Sequence, residues 1–359
     1  MITIDIRWLH TSGIGTYLKN ILPLVIGELY YKKICLLGNV EEMQKFNWSI
    51  DKNVYLIEAQ SSMYSISEQF EIANIIPKET QLYFATHYNI PLLYKGKTMV
   101  TVYDLFHVAM PNLVRGIHKR IYANFMFNLV RKKADAIITI SQFTKDELIR
   151  FTGKGSQELY PIHLGVEESW FNIDPGNNPY GKPYLLYVGN VKPHKNLSRL
   201  IRAFGMLVDK IPHDLVIIGK KDGFITGDKS VVHEAAKLGN RVQFTGYVED
   251  KLLRQYFAHA EVFVFPSLYE GFGLPPLEAM AAGCPVLVSN AASLPEVCED
   301  AAIYCDPYNH EDIAKKILLL MKDSSLRETL RRKGVEHARK FTWEKCASET
   351  CSVINRLLL

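Results

Sequence analysis

The sequence predicts an α/β protein made of two doubly wound, Rossmann-like parallel-sheet domains. Three observations carry that expectation. Short β-rich apolar runs alternate with helical patterns from one end to the other, which implies parallel strands with helices on both faces. The 359 residues exceed one ordinary core and suit two domains. Finally, SWFNIDPGNNPYGKPY (169–184) is rich in Gly, Pro and Asn, lacks periodicity, and precedes a fresh strand.

In chain order, the strand candidates of the first half are ITIDI, KICLLG, VYLIE, LYFA, MVTVY and AIITIS. Those of the second half are YLLYVG, DLVIIG, RVQFTG, VFVFP, PVLVS and AAIYCD. Between them lie helical stretches such as NLSRLIRAFGMLVDKI, with Leu197, Leu200, Ile201, Phe204 and Val208 at helical spacing. The expected division is a first domain over 1–168, a linker over 169–183, a second domain over 184–341, and a closing helix over 342–359. Two such domains would face a central cleft. Ligands of such sheets sit beyond the carboxyl ends of the strands, so the loops after strands are where chemistry is sought.

Composition narrows the class. A hydrophobic share of 48% with 22% charged residues is that of a globular chain, not a disordered one. The net charge of +4 does not by itself call for nucleic acid. Six cysteines are scattered without metal-like or CxxC spacing and are read as reduced packing residues. MITIDIRWLH lacks a signal-peptide pattern, and no apolar run spans a bilayer, so a cytoplasmic protein is expected.

Four constellations fall in strand-following loops. In YEGFGLPPLE, Glu270 and Glu278 stand eight positions apart around Gly271 and Gly273. A helix is expected from about Leu274, with prolines in its first turn, and its start is a ready anion site. The pair is either a hydroxyl-accepting clamp around a diphosphate, or an ordinary βα loop whose Glu278 complements the helix dipole. In YVGNVKPHKNL, Lys192, His194 and Lys195 follow a strand, and Asn196 is an expected N-cap. These cations would stabilise charge on a departing diphosphate, or are solvated surface groups. In DIRWLHTSGIGTYLKN, Gly13 and Gly15 form a glycine-rich loop before a helix, without the acidic residue of a dinucleotide site. In VTVYDLFHVAMP, Asp104 ends a strand and His107 follows in the loop; they would bind hydroxyls or manage a proton, or form a structural pair. No D-x-D or HExxH occurs, so no metal is expected.

Taken together these segments resemble glycosyltransferase family four, the retaining, nucleotide-sugar-dependent enzymes of the GT-B fold. The resemblance rests on E-x7-E within PSLYEGFGLPPLEAMAAGCPVLVSNAASLPEV, supported by YVGNVKPHKNL, SGIGTYLKNI, ITISQFTKDEL, HLGV and FTWEKCASET. It implies that Glu270 contacts donor-sugar hydroxyls and Glu278 the ribose. Phe272, Gly273 and Leu274 would offer backbone N–H groups, and Lys195 would grip the diphosphate. Gly13 and Gly15 would approach phosphates or acceptor, and the closing helix would pack back on the first domain. Two positions depart from the family pattern. Asn190 stands where an arginine is common, with Lys192 or His194 to supply the charge. Tyr103 stands where a histidine is common, with His107 or Tyr103 on the acceptor side and Asp104 beside them.

The expected function is therefore retaining, metal-independent hexosyl transfer without a cofactor. The hexose, mannose by subgroup resemblance, would pass from a GDP- or UDP-linked donor to a hydroxyl of a glycan or lipid-linked acceptor. Surface polysaccharide or lipopolysaccharide biosynthesis is the expected setting. The alternatives are an epimerase or phosphorylase of the same fold, or a non-catalytic sugar-nucleotide-binding protein. In LVRGIHKRIYANFMFNLVRKKAD (113–135), Arg115, Lys119, Arg120, Arg131, Lys132 and Lys133 mix with Tyr122, Phe125 and Phe127. That face would rest on the inner membrane surface, or is a packed helix with a solvated basic end.

Overall fold

The computed structural model describes residues 1–114, 116–219 and 229–359, with Ser12 and Lys229 described by backbone alone. The chain forms two compact units: Met1–Gly165 together with Thr342–Leu359, and Val166–Phe341. The stretch 169–183, expected as a linker, folds with the second unit. Trp170 packs edge-on against Phe257, and Tyr180 donates to Asp214 Oδ2 at 2.6 Å.

The first unit runs β1 (Ile2–Asp5), α1 (Ser12–Glu28), β2 (Ile34–Gly38), α2 (Val40–Met43), β3 (Val54–Glu58), α3 (Ile66–Ile75), β4 (Leu82–Ala85), β5 (Thr98–Val102), α4 (Phe106–Ala109), α5 (Ile117–Lys133), β6 (Ala136–Thr139), α6 (Gln142–Thr152) and β7 (Glu158–Pro161). Its parallel sheet has the order β3-β2-β1-β4-β5-β6-β7. The second unit runs β8 (Tyr184–Val188), α7 (Leu197–Gly205), β9 (Asp214–Ile218), α8 (Lys229–Ala236), β10 (Val242–Gly246), α9 (Asp250–His259), β11 (Val262–Phe265), α10 (Leu274–Ala281), β12 (Val286–Ser289), α11 (Leu294–Cys298), β13 (Ile303–Cys305), α12 (His310–Lys322) and α13 (Ser324–Ala338). Its sheet order is β10-β9-β8-β11-β12-β13. The last helix, α14 (Trp343–Leu358), belongs to the first unit.

Every strand expected from sequence is present; β1, β2, β8, β9 and β11 are apolar runs buried on both faces, while β3, β10 and β13 are partly exposed. The strand that pattern reading missed, β7, lies at the sheet edge, is half-exposed, and ends on Pro161. The α14 helix packs on α1, where Tyr17 meets Trp343 edge-on and Tyr31 donates to Asn355 Oδ1 at 2.9 Å. Gly165 is needed there, since a Cβ would lie 2.2 Å from the Trp343 nitrogen. All six cysteines are buried and unpaired, as packing residues are.

Both sheets reverse direction of growth once: at β1 and β4 in the first unit, and at β8 and β11 in the second. Loops leaving two such neighbouring strands diverge, and the space at their carboxyl ends is where ligands bind in open α/β sheets.

Candidate functional site

In the second unit, the switch point brings two expected residues together. Lys195 follows β8 and Glu270 follows β11, and the ammonium bonds both carboxylate oxygens at 2.6 and 2.8 Å. The two side chains are 18% and 13% exposed, so the pair is partly desolvated. The ammonium also lies 5.3 Å from the centre of the Phe265 ring. Near Glu270 sits Tyr187, whose buried hydroxyl has no hydrogen-bond partner among the described residues and is pushed up in pKa by burial and by the Glu270 charge.

The local backbone fixes this arrangement. Leu268 N–H donates to the His194 carbonyl at 2.7 Å, tying one loop to the other. Ser293 Oγ donates to the carbonyls of Glu270 at 3.0 Å and Phe272 at 2.5 Å. Asn196 caps no helix nitrogen; in left-handed conformation it spends its amide on the carbonyls of Pro266 at 2.9 Å and Pro307 at 2.6 Å. The expected N-cap is thus a clasp beneath the site. His194 is buried, Lys192 is exposed and Asn190 half-buried, so of these three Lys192 is the surface cation.

Helix α10 begins at Leu274, as its prolines predict, behind Gly273 at φ 128°. A Cβ on Gly273 would lie 2.8 Å from Leu294 Cδ2. Pro275 and Pro276 carry no N–H, so Leu274 is the residue of the first helical positions that has one. Phe272 is buried. Glu278 lies in the second turn and is half-buried. Burial, together with the like charges of Glu167 and Asp250, pushes its carboxyl up to about 8 against the pull of Arg254. Arg254, 3.5 Å from Glu167 and above the Trp170 ring, was not singled out in the sequence.

The first unit holds the other expected residues. Gly13 and Gly15 lie inside the first turn of α1, not in a loop before it. A Cβ on Gly15 would sit 2.6 Å from the Leu9 carbonyl oxygen, whereas at Gly13 no atom of the described residues lies within 4 Å. Asp104 Oδ1 accepts the Phe106 N–H at 2.9 Å, and His107 stands in α4, not in a loop. The Tyr103 hydroxyl is buried without a hydrogen-bond partner among the described residues, and its ring packs edge-on against Tyr17 at 5.6 Å.

Sequence reading missed the most polar feature of this unit, at the β1–β4 switch point. Arg7 bonds Asp5 through Nε at 2.9 Å and Nη2 at 2.6 Å, and Glu68 through Nη1 at 2.6 Å. Asn89 donates to Glu68 at 2.7 Å, Tyr83 to Asp5 at 2.9 Å, and Tyr122 to Asn89. Burial works to raise the Asp5 carboxyl, and Arg7 outweighs it and holds it low; at Glu68 burial prevails and the carboxyl is raised. Trp8 stacks on His87 at 4.0 Å, and burial pushes that imidazole down to about 3. Tyr64, exposed and at φ 66°, covers Trp8 and Tyr122. The available signal was Asp-x-Arg at the end of the first strand.

On α5, the inner face is Ala123, Met126, Phe127 and Val130. Ile117, Ile121 and Phe125 form an outer apolar stripe, 76%, 62% and 52% exposed. Of the basic residues expected on that face, Lys119, Arg120 and Lys132 are exposed. Arg131 is buried, and Lys133 donates to the carbonyls of Leu92 and Tyr94 at 2.6 Å. Phe127 is buried, and Arg115 lies outside the described residues. No described helix is long and apolar enough to cross a membrane, and no group of three His, Cys, Asp or Glu among the described residues is placed to hold a metal.

Residues 168–337 match the family described as "Glycosyl transferases group 1". The O-antigen chain mannosyltransferase B of Escherichia coli is 32% identical over 237 residues, 62% of this chain and 61% of that protein. The chain thus spans about three fifths of that curated relative. Among solved structures, a sucrose-phosphate synthase from Thermosynechococcus elongatus superposes with a TM-score of 0.79 at 19% identity, covering 99% of this chain and 98% of that one. Anabaena HepE in complex with UDP-glucose gives 0.74 at 17% identity, covering 99% of each chain. The two units therefore have the Rossmann-like sheets of the GT-B fold, and residues 168–337, in the second unit, match a group 1 glycosyltransferase domain.

Proposed function

We propose that the protein is a retaining, metal-independent hexosyltransferase. It moves mannose from a nucleotide diphosphate sugar, GDP-linked or else UDP-linked, to a hydroxyl of a glycan or lipid-linked acceptor. The observation that carries this reading is the Lys195–Glu270 pair beside the start of α10, with Glu278 in the next turn. A cation, a helix start and two carboxyl groups at one switch point suit a diphosphate flanked by two sets of hydroxyls. Mannose is supported by the Escherichia coli relative, and a nucleotide-sugar donor by the bound UDP-glucose of HepE.

In this reading Lys195 neutralises the departing diphosphate, and Glu270 accepts from hydroxyls of the transferred sugar. Glu278 binds the ribose, and the backbone at Phe272–Leu274 meets the phosphates. Asn190 and Lys192 border the same loop. The acceptor lies with the first unit, near Asp104 and His107, with Gly13 letting the α1 backbone come close. No cofactor is needed beyond the co-substrate, and the departing phosphate helps remove the acceptor proton. The setting is surface polysaccharide assembly at the cytoplasmic face of the membrane. The exposed stripe of α5, with Lys119 and Arg120, supports peripheral contact there.

The test is a thermal-shift screen against GDP, UDP, GDP-mannose and UDP-hexoses, followed by a transfer assay with and without EDTA. Stabilisation by GDP-mannose and chelator-resistant transfer are expected. A requirement for orthophosphate would favour a phosphorylase, and binding without turnover a non-catalytic protein.

A further inference from the structure

We propose that the Lys195–Glu270 ion pair is a discriminator that favours the intact sugar nucleotide over the nucleoside diphosphate left after transfer. The inference rests on the donor reading above and adds a mechanism for product release.

Lys195 cannot serve two anions at full strength. In the ligand-free site both carboxylate oxygens of Glu270 hold its ammonium, and Lys195 is the one basic group bonded to Glu270 among the described residues. A diphosphate that takes the ammonium leaves a partly buried carboxylate without its counter-charge, which is costly. The surroundings offer little relief. Phe265 lies on the Lys195 side, the Ser293 contacts fix the backbone from which Glu270 extends, and the Glu270 side chain is 13% exposed.

An intact donor brings its own remedy, because sugar hydroxyls donate to the vacated carboxylate. A nucleoside diphosphate brings none. Before transfer, the sugar offsets the broken ion pair. After transfer the hydroxyls leave with the acceptor, Glu270 reclaims Lys195, and the grip on the diphosphate weakens. The residue that binds the sugar thereby also expels the product.

The test compares calorimetric affinities of wild type and Glu270→Gln for GDP and GDP-mannose, and for UDP and UDP-glucose. Glutamine cannot compete for the ammonium, so the variant is expected to bind the nucleoside diphosphate about tenfold tighter. It gains little or nothing for the intact sugar nucleotide, since the hydroxyl acceptor is weakened at the same time. The ratio of the two affinities therefore falls. An equal gain for both ligands, which a uniform field effect would produce, overturns the proposal, as does an unchanged or weaker nucleoside diphosphate. Glu270→Asp, which retains the charge but shortens its reach, should move the ratio in the same direction and serves if the glutamine variant does not fold. If the wild-type protein binds none of these nucleotides, the donor reading itself falls.

Discussion

Lys195 and Glu270 are 75 positions apart in the chain, yet the ammonium of one lies 2.6 and 2.8 Å from the two oxygens of the other. Their strands, β8 and β11, are neighbours at the point where the second sheet reverses its direction of growth. The two groups meet because the loops after those strands are the ones that topology brings together.

If this pair handles the donor, its members contribute to turnover in different ways. Lys195→Ala should lower kcat in the transfer assay by about 100-fold or more, through lost stabilisation of the departing diphosphate. Glu270→Ala should lower transfer comparably by losing the sugar contact. Unchanged turnover in both variants would remove these residues from the site.

The two glycines of α1 should separate in a melting experiment. Gly15→Ala drives a Cβ against the Leu9 carbonyl and should cost about 1–3 kcal/mol. Gly13→Ala meets open space, so it should leave stability unchanged or raise it by up to about 1 kcal/mol. If backbone at Gly13 approaches a substrate, that variant folds well and still loses transfer.

Glu278 makes stability depend on pH with a definite sign. Its carboxyl lies at about 8 in the fold against an ordinary 4.5. Between those values the native state keeps a proton that the unfolded chain has released. Its contribution is therefore complete below the lower value and declines as pH rises through the window. Wild type and Glu278→Gln should melt alike at about pH 4.5, and the variant should gain on wild type toward about pH 8–9. A variant that loses ground with rising pH would contradict this.

Arg7 joins two buried carboxylates, so its removal leaves both without a counter-charge. Arg7→Met should destabilise the protein by about 3–5 kcal/mol, measured by urea denaturation. Asp5→Asn, which leaves Glu68 as a partner for Arg7, should cost less.

The outer stripe of α5 is tested with vesicles. Sedimentation with anionic vesicles should fall sharply in Ile121→Glu/Phe125→Glu, with the melting temperature little changed because both side chains are exposed. Equal sedimentation of the double variant would remove this face from membrane contact.

Much of the site was legible because its residues cluster in short motifs. Glu270, Gly273 and Glu278 sit within one loop and helix start, whose prolines mark the first turn in any context. Asn196 misled because cap preference is a local rule, and here tertiary carbonyls of Pro266 and Pro307 claimed its amide. Gly13 and Gly15 read as a loop because glycine is a poor helix former, while in the fold both lie in the first turn of α1, where the nearby Leu9 carbonyl leaves no room for a Cβ at Gly15. Arg7, Glu68 and Asn89 escaped notice because single polar residues spaced tens of positions apart carry no local pattern.

The sequence by itself determined the alternation of strands and helices, the position of every doubly buried strand, and the motif holding Glu270 and Glu278. Those follow from apolar periodicity and from glycine and proline geometry, which act over a few residues. The tertiary structure decided which charges meet. It paired Lys195 with Glu270, surrounded Arg7 with Asp5 and Glu68, and turned the Tyr103 hydroxyl inward. It also raised the Glu278 carboxyl by burying it near Glu167 and Asp250. The reason is that electrostatic partnership depends on strand order and on burial, and neither is written in the spacing of residues along the chain.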